Sequence, residues 1–305
     1  MLLILVDRGW KFFYFLDLFT WNLTLNIGCS GWSYEGWKGN FYPKKMENKD
    51  YLSYYSKFFK FVEVDSTYYH IPSRSTVRGW KDKTPDDFKF SFKFPKVVTH
   101  EKKLEEVAKP LSILFYSLEP LIDKTLTLLI QLPPFLSEKK GFNPLQDMIR
   151  HLDKRYRYSL EVRHSSWFND NVYDFLRENN ISLVWSVRDK LQPPSIVTSD
   201  QVYVRFIGDR SVSETDFGKV VIDRRKEMLE YVKQVRDTQD KNSNIYDVLI
   251  AFNNHFAGFG PQSVNDFLKL MNMSEVDWKT ELENYENNSG QHDDRFQSSL
   301  SDFNK

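Results

Sequence analysis

Short apolar runs alternate with stretches of helical periodicity along most of this chain. From Phe88 to Phe94 a phenylalanine stands at every second position with a polar residue between, which is typical of a β-strand. Thr125 to Gln131 is almost entirely apolar in its second half, as in a parallel strand that is buried on both faces. Eight strands are predicted, the first through Leu23, Leu25 and Ile27, and the others at 61–64, 88–94, 125–131, 158–162, 182–187, 202–206 and 248–252.

Helical patterns separate most of these strands. They are predicted at 51–59, 73–83, 102–122 (in two pieces, broken near Pro110 and Pro120), 144–152, 170–179, 220–237 and 262–271, with Ser73 or Ser75 as the N-cap of the second. Eight βα units within about 250 residues match the size of a TIM barrel. We therefore predict an α/β fold, a TIM-barrel-like (β/α)8 barrel in a single domain. A doubly wound open sheet is the alternative, but no G-x-G-x-x-G motif follows the first strand.

The two ends of the chain differ in pattern from the middle. The chain opens with MLLILV, which resembles a signal peptide or a membrane anchor until Asp7, Arg8, Lys11 and Asp17 interrupt it. We therefore expect residues 1–24 to be an N-terminal extension, residues 25–278 to form the barrel domain, and residues 279–305 to be a polar, disordered tail. The protein is expected to be soluble and cytoplasmic, without membrane attachment.

The composition of the chain argues against several classes of function. Lys plus Arg and Asp plus Glu number 42 each, so no overall charge attracts nucleic acid or anionic membranes. The single cysteine, Cys29, excludes an intrachain disulfide and a cysteine-built zinc site. Ser30 lies in no G-x-S-x-G elbow and Cys29 has no evident histidine partner, so a nucleophilic triad is not expected. The basic residues of 219–241 alternate with acidic ones, which indicates a solvated helix face.

Polar and ionisable residues follow the ends of the predicted strands, where TIM barrels carry their chemistry. Glu161 and Arg163 are two residues apart, so a strand would place them on the same side. A buried carboxylate needs a partner, and Arg163 or Arg205 could supply it. Two interpretations remain open: a structural ion-pair network, or a carboxylate for acid–base chemistry beside arginines that hold an anion.

The sequence pattern says less about the roles of the other candidate site residues. Glu63 sits in the apolar FVEV strand, and paired with Glu161 it would suit hydrolysis or metal binding. His100, His164 and His255 lie just beyond strands, where each could act as a base, ligate a metal or simply pack. No H-E-x-x-H or comparable spacing supports a metal, so the cofactor is left unknown. The aromatic residues could stack a sugar or a base, or could plug the barrel top; they are Trp32, Tyr34, Tyr68, Trp167 and Phe206.

Seven sequence blocks, in this order, also carry a family resemblance. They are IGCSGWSYEGWKGNFYP, FVEVDSTYYHIP, FKFSFKFPKVVTH, LIQLPPFL, LEVRHSSWF, YVRFIG and AFNNHFAGFGPQSV. Together they closely resemble the YecE-like family, the domain of unknown function 72, from Leu25 to Met271. The resemblance implies a TIM-barrel-like fold and brings no established reaction. Residues 1–24 have no counterpart in the family pattern.

The family blocks emphasise a set of residues. These are Ser30, Trp32, Tyr34, Glu63, Ser66, Tyr68, Lys93, His100, Gln131, Glu161, Arg163, His164, Trp167, Arg205, Asn253 and Asn254. Relatives often carry N-N-D in the last block, where this chain has His255, so a role for that acidic residue does not transfer.

Three functions are compatible with these residues. The first is an enzyme with hydrolase- or isomerase-like acid–base chemistry on a small anionic molecule such as a sugar phosphate. There Glu161, Glu63 and His164 would be catalytic and the remaining emphasised residues would bind substrate, with Arg163, Arg205 and Lys93 neutralising its charge. The second is a nucleic-acid-binding protein or repair-type phosphodiesterase, and the third is a non-catalytic scaffold. The oligomeric state is not predicted.

Overall fold

The computed structural model describes residues 24–188, 190–208, 211–241 and 245–286. Nearly all of the predicted extension and residues 287–305 of the predicted tail lie outside these ranges. Nine parallel strands form one sheet: β1 Thr24–Ser30, β2 Phe61–Val64, β3 Lys89–Lys93, β4 Thr125–Gln131, β5 Tyr158–Glu161, β6 Ile181–Leu183, β7 Trp185–Val187, β8 Gln201–Phe206 and β9 Asp247–Phe252. Their order is β6-β5-β4-β3-β2-β1-β9-β8-β7.

The sheet curls into a nearly closed barrel because its two ends meet in one stretch of chain. β6 pairs with β5, whereas β7 pairs with β8. Only Val184 separates them, and its backbone N–H donates to the Leu160 carbonyl over 2.9 Å. The predicted strand 182–187 is thus present as two short segments that serve opposite neighbours. The predicted α/β, TIM-barrel-like (β/α)8 fold is confirmed.

Helices follow most strands and cover the outside of the sheet. They are α1 Tyr51–Phe58, α2 Arg74–Asp82, α3 Ala108–Leu118, α4 Glu138–Ile149, α5 Asp170–Glu178, α6 Arg225–Lys241, α7 Asn254–Ala257 and α8 Gly260–Leu270. Ser73 caps α2, because its hydroxyl accepts a hydrogen bond from the Thr76 backbone N–H. Within the described ranges, no helix has the length and apolar character needed to cross a bilayer.

Three predicted helices differ from the structure by more than two residues at an end. The helix predicted at 220–237 begins five residues later, at Arg225, and ends at Lys241. Residues 102–107 are not helical, since Lys103, Leu104 and Glu106 have positive φ angles of 51°, 75° and 50°. The helix that was predicted from 102 begins at Ala108, which places Pro110 in the first turn, where a missing N–H costs no helical hydrogen bond.

The helix predicted at 144–152 begins six residues earlier, at Glu138, and keeps Pro144 inside it. Its early turns pack tightly on Trp167: a Cβ atom added at Gly141 would lie 2.8 Å from that indole ring. Tertiary packing therefore outweighs the helix-breaking tendency of the proline.

The predicted disordered tail differs in its first part. Residues 279–286 are helical, and Leu282 within them is buried. Just before them, Trp278 is buried against Phe41, and its indole N–H donates to the Asn40 carbonyl over 2.9 Å. This anchor explains why a polar segment is ordered, because burial of one large ring offsets part of the entropy of fixing the chain beside it.

The core has two layers, because successive side chains along each strand point alternately outward to the helices and inward to the barrel. Val202, Val204 and Phe206 of β8 belong to the large cluster between the strands and the helices, whereas Tyr203 belongs to a small cluster inside the barrel with Phe61, Leu129, Val184, Leu249 and Ala251. Toward the carboxyl ends of the strands this interior becomes polar. The fold thus gathers the inward-facing residues of several strand ends at one mouth.

Candidate functional site

Arg205, near the end of β8, lies at the centre of the polar layer. Its Nε and Nη2 atoms each donate to the Glu63 carboxylate over 2.6 Å, and its Nη1 donates to Glu161. Glu63 is on β2 and Glu161 is on β5, so the guanidinium joins three strands that are not neighbours in the sheet. Arg205 is 3% exposed and both carboxylates are fully buried. These bonds can only cross the inside of the barrel.

Glu63 is saturated with donors. Besides Arg205, the Ser30 hydroxyl donates to it over 2.6 Å and the Tyr203 hydroxyl also donates to it. Burial raises the pKa of the Glu63 carboxyl, but the charge and hydrogen bonds of Arg205, with Ser30 and Tyr203, bring the net pKa below its usual range. Glu63 is therefore a carboxylate, and Ser30 contacts the network beneath the mouth.

Glu161 is held in a similar way by a second arginine. Arg163 donates from Nε to Glu161 over 2.7 Å and from Nη2 to the Gln131 side chain over 2.7 Å. Burial raises the pKa of Glu161, but the charges of Arg163, Arg205 and Lys93 outweigh it and lower that pKa to about 2. Glu161 stays ionised near neutral pH, and its main effect is to fix the two guanidinium groups.

A cavity of about 920 Å³ lies above this network. Eight of the residues predicted as substrate-binding line it: Tyr34, Tyr68, Lys93, His100, Gln131, Arg163, Arg205 and Asn253. The strand ends and the loops after them therefore do come together in space, as the parallel barrel requires.

Lys93 and Asp65 form the wall of the cavity next to Arg205. The Lys93 ammonium lies 3.9 Å from Asp65 Oδ1 and 4.4 Å from the centre of the Tyr68 ring. Arg205 Nη2 lies 3.5 Å from the same Asp65 oxygen. Burial and the charge of Glu63 raise the pKa of the Asp65 carboxyl, whereas burial lowers the pKa of Lys93 against the opposing attraction of Asp65.

His100 lies on the same side of the cavity. Its ring stands edge-on to Tyr68, with 5.1 Å between the ring centres, and its Nδ1 is 2.9 Å from the Thr99 hydroxyl. Burial, followed by the charges of Lys93 and Arg163, lowers the pKa of this imidazole. His100 is thus a neutral hydrogen-bonding group at the mouth near pH 7.

Other predicted residues lie away from the cavity and stabilise its surroundings. Trp32 packs edge-on against Trp80, and Trp167 is fully buried with its indole N–H on the Leu136 carbonyl at 2.8 Å. Asn254 is buried and accepts hydrogen bonds from the Trp37 indole at 3.1 Å and the Gly260 N–H at 2.9 Å.

Two further predicted residues occupy short turns. His164 caps the turn Ser165–Trp167, with its Nδ1 2.8 Å from the Ser166 hydroxyl. Ser66 is exposed and opens the turn Ser66–Tyr68. Neither residue lines the cavity. Phe206 packs outside the barrel, stacked on Phe252.

Comparison with known proteins shows to which family the chain belongs. The family model described as "Protein of unknown function DUF72" matches residues 26–286. The chain belongs to this family. The DUF72 chain is 29% identical over 117 residues to UPF0759 protein YecE of Escherichia coli K12, covering 38% of this chain and 43% of that relative. It is 26% identical over 274 residues to UPF0759 protein YunF of Bacillus subtilis 168, covering 81% of this chain and 94% of that relative.

Solved DUF72 structures share the fold. A DUF72 family protein of Thermotoga maritima superposes with a TM-score of 0.70 at 28% identity, covering 82% of this chain and 99% of that one. One from Enterococcus faecalis superposes with a TM-score of 0.66 at 21% identity, covering 83% and 99%. The E. coli alignment spans less than half the length of that relative.

Sequence reasoning missed several residues that line this DUF72 site, and Asp65, Arg188 and Glu214 illustrate why. Asp65 is two residues beyond Glu63, so continuing the alternation of β2 past its end would have found it. Arg188 directly follows β7 and was open to the same reasoning. Glu214 reaches the cavity from the segment between β8 and α6, and no local pattern of the sequence indicates that.

Within the part of the chain that the structure describes, no group of three or more His, Cys, Asp or Glu residues is close enough to hold a metal ion. The fully buried carboxylates already accept from arginine, serine and tyrosine donors. A cation at these oxygens would compete with those donors.

Proposed function

We propose that this DUF72 protein is an enzyme whose barrel mouth binds a small, polar, anionic molecule such as a sugar phosphate and performs acid–base chemistry on it. The observation that carries the proposal is the fixed guanidinium of Arg163 on the cavity wall. Glu161 and Gln131 accept from its Nε and Nη2, and neither bond uses Nη1. A guanidinium that is oriented before the ligand arrives binds phosphate or carboxylate without a further ordering cost.

The acid–base role is best filled by Asp65. Glu161 and Glu63, which the sequence proposes as catalytic, are fully buried and held ionised by arginines, so they exchange protons poorly near neutral pH. The Asp65 side chain is 30% exposed, lines the cavity and has a raised carboxyl pKa. A general acid or base works best when its pKa is close to the working pH.

Neutral groups complete a surface suited to a hydroxylated substrate. The Tyr34 hydroxyl donates to the Ser30 carbonyl over 2.6 Å, which fixes its ring at the cavity wall. Tyr68 supplies a second ring, and Gln131 and Asn253 supply amide groups. Aromatic faces with a few placed amides are typical of pockets for small polar ligands.

A thermal-shift panel tests the anion site. Inorganic phosphate, sugar phosphates, nucleotides and carboxylates are each added to the wild type, to Arg163→Gln and to Arg157→Gln. We expect at least one anion to raise the wild-type midpoint by mass action, and Arg163→Gln to weaken its binding by about tenfold or more, as loss of a charge-assisted hydrogen bond predicts. Each shift is compared with the ligand-free midpoint of the same variant.

Arg157 is the matched control. It lies just before the amino end of β5, whereas Arg163 lies just beyond the carboxyl end, and it pairs with Asp200 and Asp247. Arg157→Gln removes the same charge but should leave ligand shifts unchanged. Equal losses in both variants, or no shift with any anion, would contradict the proposal. Oligonucleotides in the panel test the nucleic-acid alternative, which requires binding that weakens steeply with salt. Absence of any ligand effect would favour a scaffold.

A further inference from the structure

Lys93 is placed unlike an ordinary surface lysine. It ends β3, its side chain is 12% exposed, and it lines the cavity. Asp65 lies 3.9 Å away, which is too long for a hydrogen bond, and the Tyr68 ring lies beneath the amine. Among the described residues, none accepts a hydrogen bond from Lys93 Nζ. The amine therefore faces a ligand-sized space and donates no hydrogen bond to a described residue.

A second buried lysine shows what a structural lysine looks like in this chain. Lys124 is 4% exposed, and its Nζ donates to the carbonyls of Thr84 and Pro85 over 2.9 and 2.8 Å. Those acceptors use the ammonium protons, and Lys124 does not line the cavity above Arg205. Burial alone therefore does not distinguish Lys93; its open side toward the cavity does.

Burial is the main factor that shifts Lys93 toward the neutral amine. Burial lowers its pKa and the positive charge of Arg205 lowers it further, whereas the carboxylates of Asp65, Glu161 and Glu63 oppose this shift. Desolvation next to another cation is a known way to make a lysine nucleophilic, because only the unprotonated amine attacks a carbonyl.

Asp65 lies beside this amine and is the group placed to supply a proton there. Its Oδ1 is buried and makes no hydrogen bond to any described residue, and its carboxyl pKa is raised. A protonated carboxyl beside the amine can donate a proton to an oxygen that leaves as water.

We infer that the substrate is an anionic aldehyde or ketone and that Lys93 forms an imine with its carbonyl carbon while Arg163 holds the anionic group. The inference rests on the proposed anion site and adds the carbonyl class. Nζ forms the new C–N bond and passes one of its protons to the carbonyl oxygen, which gives a carbinolamine. Asp65 then protonates that hydroxyl, the C–O bond breaks, water leaves, and a cationic imine stands beside the Asp65 carboxylate. No electrons are gained or lost.

The cationic imine on Lys93 and the Asp65 carboxylate together explain how acid–base chemistry would proceed. A cationic imine makes the neighbouring C–H bond acidic, and the Asp65 carboxylate is then the nearest base to accept that proton. The same two side chains therefore serve both imine formation and proton transfer.

Reductive trapping tests the inference in the intact protein. Glyceraldehyde 3-phosphate, pyruvate or formaldehyde is added with sodium cyanoborohydride near pH 7, and the sites of the reduced adducts are identified by peptide mass spectrometry. We expect the mass of Lys93 to increase by the mass of the probe minus one oxygen atom. This adduct should form on Lys93 at least tenfold faster than on the exposed Lys44. Inorganic phosphate should slow the reaction of the anionic probes, because it competes at Arg163.

Variants separate a reactive lysine from a merely accessible one. Lys93→Arg keeps the charge and should abolish the adduct, Lys124→Arg should not change it, and Asp65→Asn should slow its formation about tenfold. Formaldehyde needs no anion site, so it measures the amine itself. Labelling of Lys93 no faster than Lys44 with formaldehyde would overturn the inference. If anions still shifted the midpoint in that case, the proposed anion site would stand without the imine.

Discussion

At the scale of single residues, the state of each carboxylate is set by the donors around it. Glu161 accepts from two arginines and has a pKa of about 2, whereas Asp65 lies in the same layer and has a raised pKa. Asp65 is 3.9 Å and 3.5 Å from its nearest cations, too far for the short charged bonds that Glu161 makes. The pKa values of two acidic residues in one mouth are thereby shifted in opposite directions.

The pH dependence of stability should show the ionisation of Glu161. Its folded pKa of about 2 lies below the value of about 4.3 for an unfolded glutamate, so the stabilisation that its ionisation gives is present above pH ~4.3 and is lost as the pH falls toward 2. We expect the free energy of unfolding of the wild type to fall with acid more steeply than that of Glu161→Gln. Denaturant titrations between about pH 6 and pH 3 measure both; parallel curves would refute the assignment.

At the scale of elements, the barrel is cross-linked through its interior. Arg205 of β8 bonds to Glu63 of β2 and Glu161 of β5, at separations of 142 and 44 residues along the chain. The attraction of both carboxylates, opposed by burial, raises the pKa of Arg205 well above its usual value. A buried ion network of this kind adds little over a hydrophobic one, but losing one member leaves the others uncompensated.

Replacement of Arg205 should therefore be far more costly than replacement of a surface arginine. Arg205→Leu strands two buried carboxylates, and we expect it to lower the free energy of unfolding by about 3–5 kcal/mol. The control Arg225→Leu breaks only an exposed pair with Asp223 and should change little. Guanidinium denaturation at pH 7 compares them. A small effect at Arg205 would mean that water reaches Glu63 and Glu161 once the arginine is gone.

At the scale of the whole molecule, the indole of Trp278 joins a late segment of the chain to the first βα loop. Trp278 is buried, its ring packs on Phe41 and Phe259, and its N–H donates to the Asn40 carbonyl. It thus ties the segment that follows α8 to the first βα loop, the loop that also supplies Tyr34 to the cavity. Residues 279–286 follow this contact directly, and within them Leu282 is buried and Glu281 pairs with Lys57 at 3.1 Å.

Removal of that indole should destabilise the whole domain. Trp278→Ala deletes a fully packed ring, and we expect a loss of about 3–5 kcal/mol in the free energy of unfolding, together with faster amide exchange in 279–286. Tyr246→Ala, at a site 62% exposed, is the aromatic control and should have little effect. Hydrogen exchange followed by mass spectrometry gives both readouts. Unchanged exchange in 279–286 would show that this helix has another anchor.

Much of the fold could be predicted because strand signals are local. The strands at 61–64 and 125–131 have the predicted bounds. The strand predicted at 182–187 begins one residue earlier, at Ile181, and is interrupted at Val184. The helix predicted from 102 has the wrong start because residues before Ala108 adopt left-handed backbone conformations. The spacing of apolar residues does not reveal such conformations. The helix that contains Pro144 was misplaced because its packing partner, Trp167, is distant in sequence.

The sequence by itself determined which residues stand at the strand ends, since alternation along each strand and the parallel order are enough to bring Lys93, Arg163 and Arg205 to one mouth. Only the tertiary structure decided their roles. Charge state, hydrogen-bond partner and access to the cavity depend on distances between strands far apart in the chain, as between Glu63 and Arg205. For that reason Glu161 proved to be a fixed carboxylate and Asp65, which the sequence analysis passed over, a group at the cavity wall.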